Sequence, residues 1–276
     1  MRKIVLYIVY GDDETYYDGA KFSFLTFMNW TFAEDSIEYV VLTEKPDEFL
    51  NYPVAVFSIT EKQKKEWSLD GKYHFRIKNK GMSHIIRELE LDDSDKILFF
   101  DTDTYFNKSP ISLFNLINEK RALLYLNEGL IYSRKRFNIY IKSLENVPIN
   151  IENEIYLLSR KSSMWGSLMV GLMPNMLSSL DWADKLMLQF YELVPAHTIE
   201  PFSLAESLSR KFEIVEGRKF VSLYSTSRKK EFCRSILKNF FLKYSDHTVD
   251  EQIKLAQKVK MKRPFLIVLK QRFFEN

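Results

Sequence analysis

Four short apolar runs punctuate the first hundred residues: KIVLYIVY (3–10), EYVVLTE (38–44), PVAVFSI (53–59) and KILFF (96–100). Between them lie segments of helical spacing, GAKFSFLTFMNWTF (19–32) and MSHIIRELEL (82–91). Strand–helix alternation of this kind predicts a mainly parallel sheet with right-handed crossovers and helices on its faces. The pattern continues in SPISLFNLINEK (109–120), where Ser109 is the expected N-cap and Pro110 the first helical residue, and in the strand-like RALLYL (121–126). No internal repeat and no Pro/Gly/Ser-rich linker interrupts the body. The expectation is therefore one α/β domain over residues 1–227, followed by a short helical extension over 228–276.

The fourth run leads directly into two acids, in KILFFDTDTYF (96–106). Side chains alternate along a strand, so Asp101 and Asp103 point the same way. They stand at the carboxyl end of a strand covered on both faces, where open α/β sheets bind ligands. Side by side they repel unless a cation joins them, and a hard divalent ion such as Mg²⁺ takes carboxylate oxygens while leaving positions for phosphate. There is no G-x-G-x-x-G and no P-loop among the eight glycines, so a phosphate here must be held by metal and side chains. The four histidines (74, 84, 197, 247) form no H-x-x-x-H pair, which argues against zinc hydrolysis. A D-x-D phosphatase is a competing reading, but its motif calls for Thr or Val two residues after the second acid, where this chain has Tyr105.

Charge is distributed unevenly. Residues 228–276 carry 13 Lys and Arg against 5 Asp and Glu, a net of +8, while the rest of the chain carries 27 against 32, a net of −5. Within this basic segment Thr248, with Glu251 three residues on, is a capping-box signature. Val249, Ile253, Ala256 and Val259 then share one face, leaving Lys254, Lys258, Lys260 and Lys262 to water. Pro264 stops that helix, and FLIVLKQRFF (265–274) is too short to span a bilayer but suited to lie in its interface. An anionic membrane surface is one expected partner; packing of the apolar face on the body is the other reading. No nucleic-acid motif accompanies the charge, and none is expected as a partner. One cysteine, Cys233, leaves no internal disulfide and no cysteine zinc site, which fits a cytoplasmic protein on the inner face of the membrane.

Several segments, taken in order, resemble nucleotide-sugar-dependent glycosyltransferases of the GT-A fold, of the bacterial type that builds surface glycans. VYGDDETYYDGAKFS (9–23) is similar to the loop after their first strand, and YVVLTEKPDEF (39–49) to their second strand and following turn. HFRIKNKGMSHII (74–86), ILFFDTDTYF (97–106), SPISLFNLI (109–117), LNEG (126–129), MWGSLMVGL (164–172) and HTIEPFSLAESL (197–208) follow in the expected sequence. The resemblance implies a Rossmann-like GT-A sheet and transfer of a hexose from a nucleoside-diphosphate sugar, a UDP-sugar first, to a glycan or lipid-linked acceptor. It implies Mn²⁺ or Mg²⁺ on Asp101 and Asp103, and a nucleoside loop at Tyr10 and Gly11. Arg76, Lys78, Asp101 and Thr102 would meet the donor, and Trp165, Gly166 and Ser167 a sugar. Asp103 and Glu200 would stand nearest the chemistry. Arg76 and Lys78 share a face only if their segment is extended, and Ser203 is the expected N-cap of a helix just after Glu200. The chain departs from the family where Gly166 replaces Asn, Leu168 replaces Gly and Pro201 replaces Gln. Ser222, Leu223 and Tyr224 stand where a metal-binding His is common, so the third ligand is unassigned and a non-catalytic sugar-binding relative stays open.

Overall fold

Strand β1 (Lys3–Val9) is buried along nearly its whole length, in a computed structural model that describes residues 1–31, 36–224 and 226–262 and only the backbone of Ser227 and Arg228. Helix α1 (Glu14–Met28) returns the chain to β2 (Ile37–Thr43), which pairs parallel with β1, and β3 (Ala55–Ser58) pairs parallel with β2. Helices α2 (Glu61–Trp67) and α3 (Arg76–Glu88) then cross to β4 (Lys96–Phe100), parallel to β1 on its other side. The strands, α1 and α3 are those that the alternation predicts, with both helices starting several residues earlier than expected, whereas α2 was not anticipated. Asp13 caps α1 by accepting from the Thr15 amide at 3.0 Å.

After β4 come a two-residue strand β5 (Thr104–Tyr105), a single helical turn α4 (Leu113–Leu116) and the long β6 (Arg121–Leu130). Helix α5 (Asn138–Leu144) and the hairpin β7 (Ile149–Ile151) and β8 (Glu154–Tyr156) lead into β9 (Ser163–Leu172). Helices α6 (Leu177–Leu193) and α7 (Ile199–Ser209) precede β10 (Glu213–Glu216) and β11 (Ser222–Leu223), and helices α8 (Ser227–Tyr244) and α9 (Val249–Ala256) follow. The central sheet has the order β3-β2-β1-β4-β9-β6-β10. All neighbours are parallel except β9, which runs antiparallel to both β4 and β6. Two register shifts interrupt β6, at Leu124/Leu126 and Asn127/Gly129, yet its pairing with β9 continues to Leu130 and Ser163.

Two expectations for helices are corrected. The 109–120 segment yields only the turn at Leu113–Leu116, because Asn118 accepts from the Lys120 amide at 2.9 Å and closes a tight bridge with Arg121. Ser203 is no cap: α7 begins at Ile199, so Ser203 is buried inside the helix and Glu200 lies in its first turn.

The main core joins the sheet to α1, α8 and α9, and a second cluster lies between α5, the β7–β8 hairpin, α6 and α7. As far as residue 262, the basic C-terminal segment is thus built into the body. Phe240 meets Phe22 of α1 edge-on at 5.9 Å, and Cys233, Leu237, Ile253 and Ala256 are buried. The capping box of Thr248 and Glu251 forms as expected. No helix among the described residues is long and apolar enough to cross a membrane. The interfacial stretch expected at 265–274 lies outside the described residues.

Candidate functional site

β4 ends at Phe100, and the backbone amide of Asp101 donates to the Leu168 carbonyl of β9 at 2.8 Å. That bond holds the first acid against the strand carrying Ser167. Lys78, buried in the first turn of α3, reaches the same point. Its ammonium donates to the Ser167 carbonyl at 3.2 Å and to Ser167 Oγ at 3.0 Å, and lies 3.5 Å from Asp101 Oδ1 and 3.2 Å from Glu200 Oε2. Ser167 Oγ in turn donates to Glu200 Oε2 at 2.8 Å. The Glu200 amide donates to Tyr73 Oη at 2.8 Å, which fixes the start of α7. Sheet, α3 and α7 therefore converge on one Asp–Lys–Ser–Glu cluster.

Asp103 sits two residues further, in the turn between β4 and β5 and not on the strand, so the alternation expected to align it with Asp101 does not apply, and it lies under a different roof. Tyr224 donates its hydroxyl to the Thr102 carbonyl at 3.1 Å and its amide to the Asp103 carbonyl at 3.2 Å. Gly19 of α1 makes this approach feasible, since a Cβ there would fall 2.5 Å from the Thr102 carbonyl oxygen. Lys230 of α8 lies 3.8 Å from Asp103 Oδ2. Among the described residues Asp103 Oδ1 and Glu200 Oε1 are buried carboxylate oxygens without a hydrogen-bond partner. Such atoms are costly unless something else meets them.

The electrostatics follow from burial and neighbours. Burial, and then the negative charge of Asp101, push the Asp103 carboxyl above its ordinary range. Glu200 is also raised, mainly by burial and against the pull of Lys78. Burial works to lower Lys78, but Asp101 and Glu200 outweigh it and hold the ammonium charged. The Tyr10 phenol is raised by burial and by the negative charges of Asp101 and Glu200, and its hydroxyl donates to the His74 carbonyl at 2.9 Å.

Of the residues singled out in the sequence, Asp101, Lys78, Ser167 and Glu200 are brought together, with Thr102 and Asp103 alongside, while the Tyr10 hydroxyl is tied to His74. Gly11 follows Tyr10 at φ +98°, a conformation glycine tolerates, and its amide donates to Glu44. Trp165 shares the Ser167 face of β9 by alternation and is half-buried, whereas Gly166 looks the other way, toward Tyr125 and Glu128. Arg76 does not join the cluster. Because its segment is helical, Arg76 and Lys78 diverge, and the Arg76 guanidinium forks onto Asp184 at 2.6 and 2.9 Å. Sequence reasoning missed Tyr73 and Lys230, and marked Tyr224 only as standing where a metal-binding His is common; Lys230 was hidden in a basic run that reads as a solvated face.

The two acids suit a hard divalent cation that keeps positions open for phosphate, and the orphaned Asp103 Oδ1 is the oxygen that would gain most. Among the described residues no group of three or more His, Cys, Asp or Glu gathers to complete such a site, so the remaining ligands would come from substrate or water. The sequence matches no protein-family model, and no curated protein is significantly similar to it.

Proposed function

We propose that this protein transfers a hexose from a nucleoside-diphosphate sugar, a UDP-sugar first, to a glycan or lipid-linked hydroxyl, on a sheet of the GT-A class. One observation carries the reading: Asp101, Lys78, Ser167 and Glu200 meet at the carboxyl end of β4, beside Asp103. That cluster offers acids for a metal, an ammonium for phosphate and carboxylate oxygens for sugar hydroxyls. Mn²⁺ or Mg²⁺ on Asp101 and Asp103 would neutralise charge growing on the departing diphosphate. Lys78 stands at the same point as a fixed donor and opposes the larger upward push that burial gives the Glu200 carboxyl. Glu200 Oε1, free of protein donors among the described residues, accepts a sugar or acceptor hydroxyl. Ser167 holds the opposite oxygen of that carboxylate and so sets its orientation. Tyr10 and Gly11 border the nucleoside end, and Trp165 the sugar end.

A non-catalytic binder of the same ligands is the second reading, favoured by Lys78 and Lys230, which already stand near the two acids, and by Tyr224 at the place of the family's His. Release of nucleoside diphosphate from UDP-, GDP- and CMP-sugars, with and without Mn²⁺, separates the two. Metal-dependent release that falls at least about a hundredfold in Asp103→Asn supports transfer, on the scale of lost transition-state electrostatics. Binding without release supports the binder. The partner surface we propose for the basic C-terminal segment is the anionic inner face of the cytoplasmic membrane. Salt-sensitive co-sedimentation with anionic vesicles tests it, and its absence removes the proposal.

A further inference from the structure

The loop after β1 is held from outside itself. The parallel register sets Val9 of β1 level with Thr43 of β2, and Tyr7 level with Phe100 of β4. Gly11, Glu44 and Asp101 therefore all follow their strands at the carboxyl edge of the sheet. Gly11 has φ +98°, yet a Cβ there would meet nothing nearer than Tyr16 at 3.7 Å. Conformation rather than space requires the glycine. Side chains meet both of its backbone polar groups: the amide donates to Glu44 Oε1, and the carbonyl accepts from the Tyr17 hydroxyl at 3.1 Å. The residues on either side are tied too. The Tyr10 hydroxyl donates to the His74 carbonyl at 2.9 Å, and Asp13 accepts from the Thr15 amide at 3.0 Å and pairs with Arg234 at 3.2 Å.

The two clamping side chains are themselves fixed. Glu44 has a side chain 9 % exposed, and its Oε2 pairs with Lys64 of α2. The start of that helix is locked by the capping box of Thr60 and Gln63. Tyr17 is buried in α1, with the Phe49 ring at 6.2 Å and the Lys45 ammonium 4.9 Å over its own ring. Its Oη lies 3.5 Å from Glu44 Oε1, so the two clamps stand side by side. Burial, and then the charge of Glu44, raise the Tyr17 phenol, which keeps the proton it donates to Gly11 through the neutral range. A loop centred on glycine has more freedom to lose than any other, and freedom lost on binding is subtracted from affinity. Here α1, α2 and β2 have ordered the loop before a ligand arrives.

We propose that Glu44, seconded by Tyr17, is a positioning residue for the nucleoside part of the donor: it pre-forms the loop at Gly11 without touching the ligand. The inference rests on the nucleotide-sugar reading, which gives that loop the nucleoside. The test is calorimetric titration of the full chain with UDP and, separately, with inorganic pyrophosphate, each with Mn²⁺. Pyrophosphate has no nucleoside and depends only on the acids and Lys78. Both should bind the wild type. Glu44→Ala should weaken UDP about tenfold, the scale of one charge-assisted hydrogen bond, and leave pyrophosphate within about twofold. Glu44→Gln keeps an oxygen for the Gly11 amide and should recover most of the loss. Tyr17→Phe keeps the ring and removes the bond to the Gly11 carbonyl, so it should show the same selectivity at about threefold. A general loosening of the fold would weaken both ligands alike and would not be rescued by glutamine. Equal losses for the two ligands, or unchanged UDP affinity in Glu44→Ala, overturn the assignment of Glu44 and leave the donor reading standing. A wild type that ignores UDP or pyrophosphate removes instead the nucleotide-sugar reading, and the assignment with it.

Discussion

Lys78 is the residue on which the candidate site depends, because it compensates Asp101 and Glu200 in a place where Glu200 is 1 % exposed. Lys78→Met leaves a buried carboxylate without its partner, and a broken buried pair costs about 3–5 kcal/mol. Adding Glu200→Gln should recover part of that loss, and urea unfolding of the two variants measures it; a double variant as unstable as the sum of its single changes contradicts the coupling. Asp103 permits a test by pH. Its folded carboxyl is raised, so the folded state holds the proton more tightly than the unfolded chain does. That contribution is complete below the ordinary carboxylate range near about pH 4 and is lost as pH rises through the raised value. Without metal, Asp103→Asn should therefore match the wild type at low pH and gain in melting temperature as pH rises. An advantage that does not change from about pH 4 to about pH 8 contradicts it. Both acids were legible in the sequence because they follow an apolar strand directly, a local signal, although Asp103 stands in the turn after it and not on the strand. Lys230 was not, since nothing in a basic run marks which lysine turns inward.

At the scale of elements, the start of α3 decides what two neighbouring cations do. An extended segment would place Arg76 and Lys78 together on a diphosphate, but the helix sends Lys78 to the sheet and Arg76 to Asp184 of α6. Arg76 therefore ties two helices. Arg76→Gln should cost about 3–5 kcal/mol of stability in urea unfolding, as expected for a broken buried pair, and change nucleotide affinity only as far as the fold is loosened. A stable variant that has lost nucleotide binding would return Arg76 to the donor site. The sequence could not separate these roles, because Asp184 lies 108 residues away and a guanidinium serves a carboxylate and a phosphate equally well. The antiparallel β9 was hidden for the same reason: pairing is non-local, and an apolar run does not state its direction. The turn at 113–116 was overestimated because the apolar face of its segment is genuine, and the turn chemistry of Asn118 prevails over it.

Across the whole molecule, the first hundred residues were readable because strand and helix alternate there with strong local periodicity. The C-terminal segment was readable as a helix with a capping box, but not as the element that closes the site. Helices α8 and α9 bury Leu237, Phe240 and Ile253 on the body and bring Lys230 to Asp103. A chain ending at Tyr224 should therefore unfold at lower denaturant and lose metal-dependent ligand binding, beyond any loss of vesicle binding. A truncated chain of unchanged stability would show that these helices are accessory. The central claim, that the two acids and Lys78 receive a metal–nucleotide donor, is tested most directly by the melting temperature of the intact chain with UDP and Mn²⁺ together. A ligand at a hundredfold excess over its dissociation constant adds about 2.7 kcal/mol, a shift of a few degrees for a chain of this size. The account predicts that shift in the wild type, its loss when Mn²⁺ is omitted, and its loss in Asp103→Asn. An equal shift in Asp103→Asn, or none in the wild type with any nucleoside diphosphate, would contradict it.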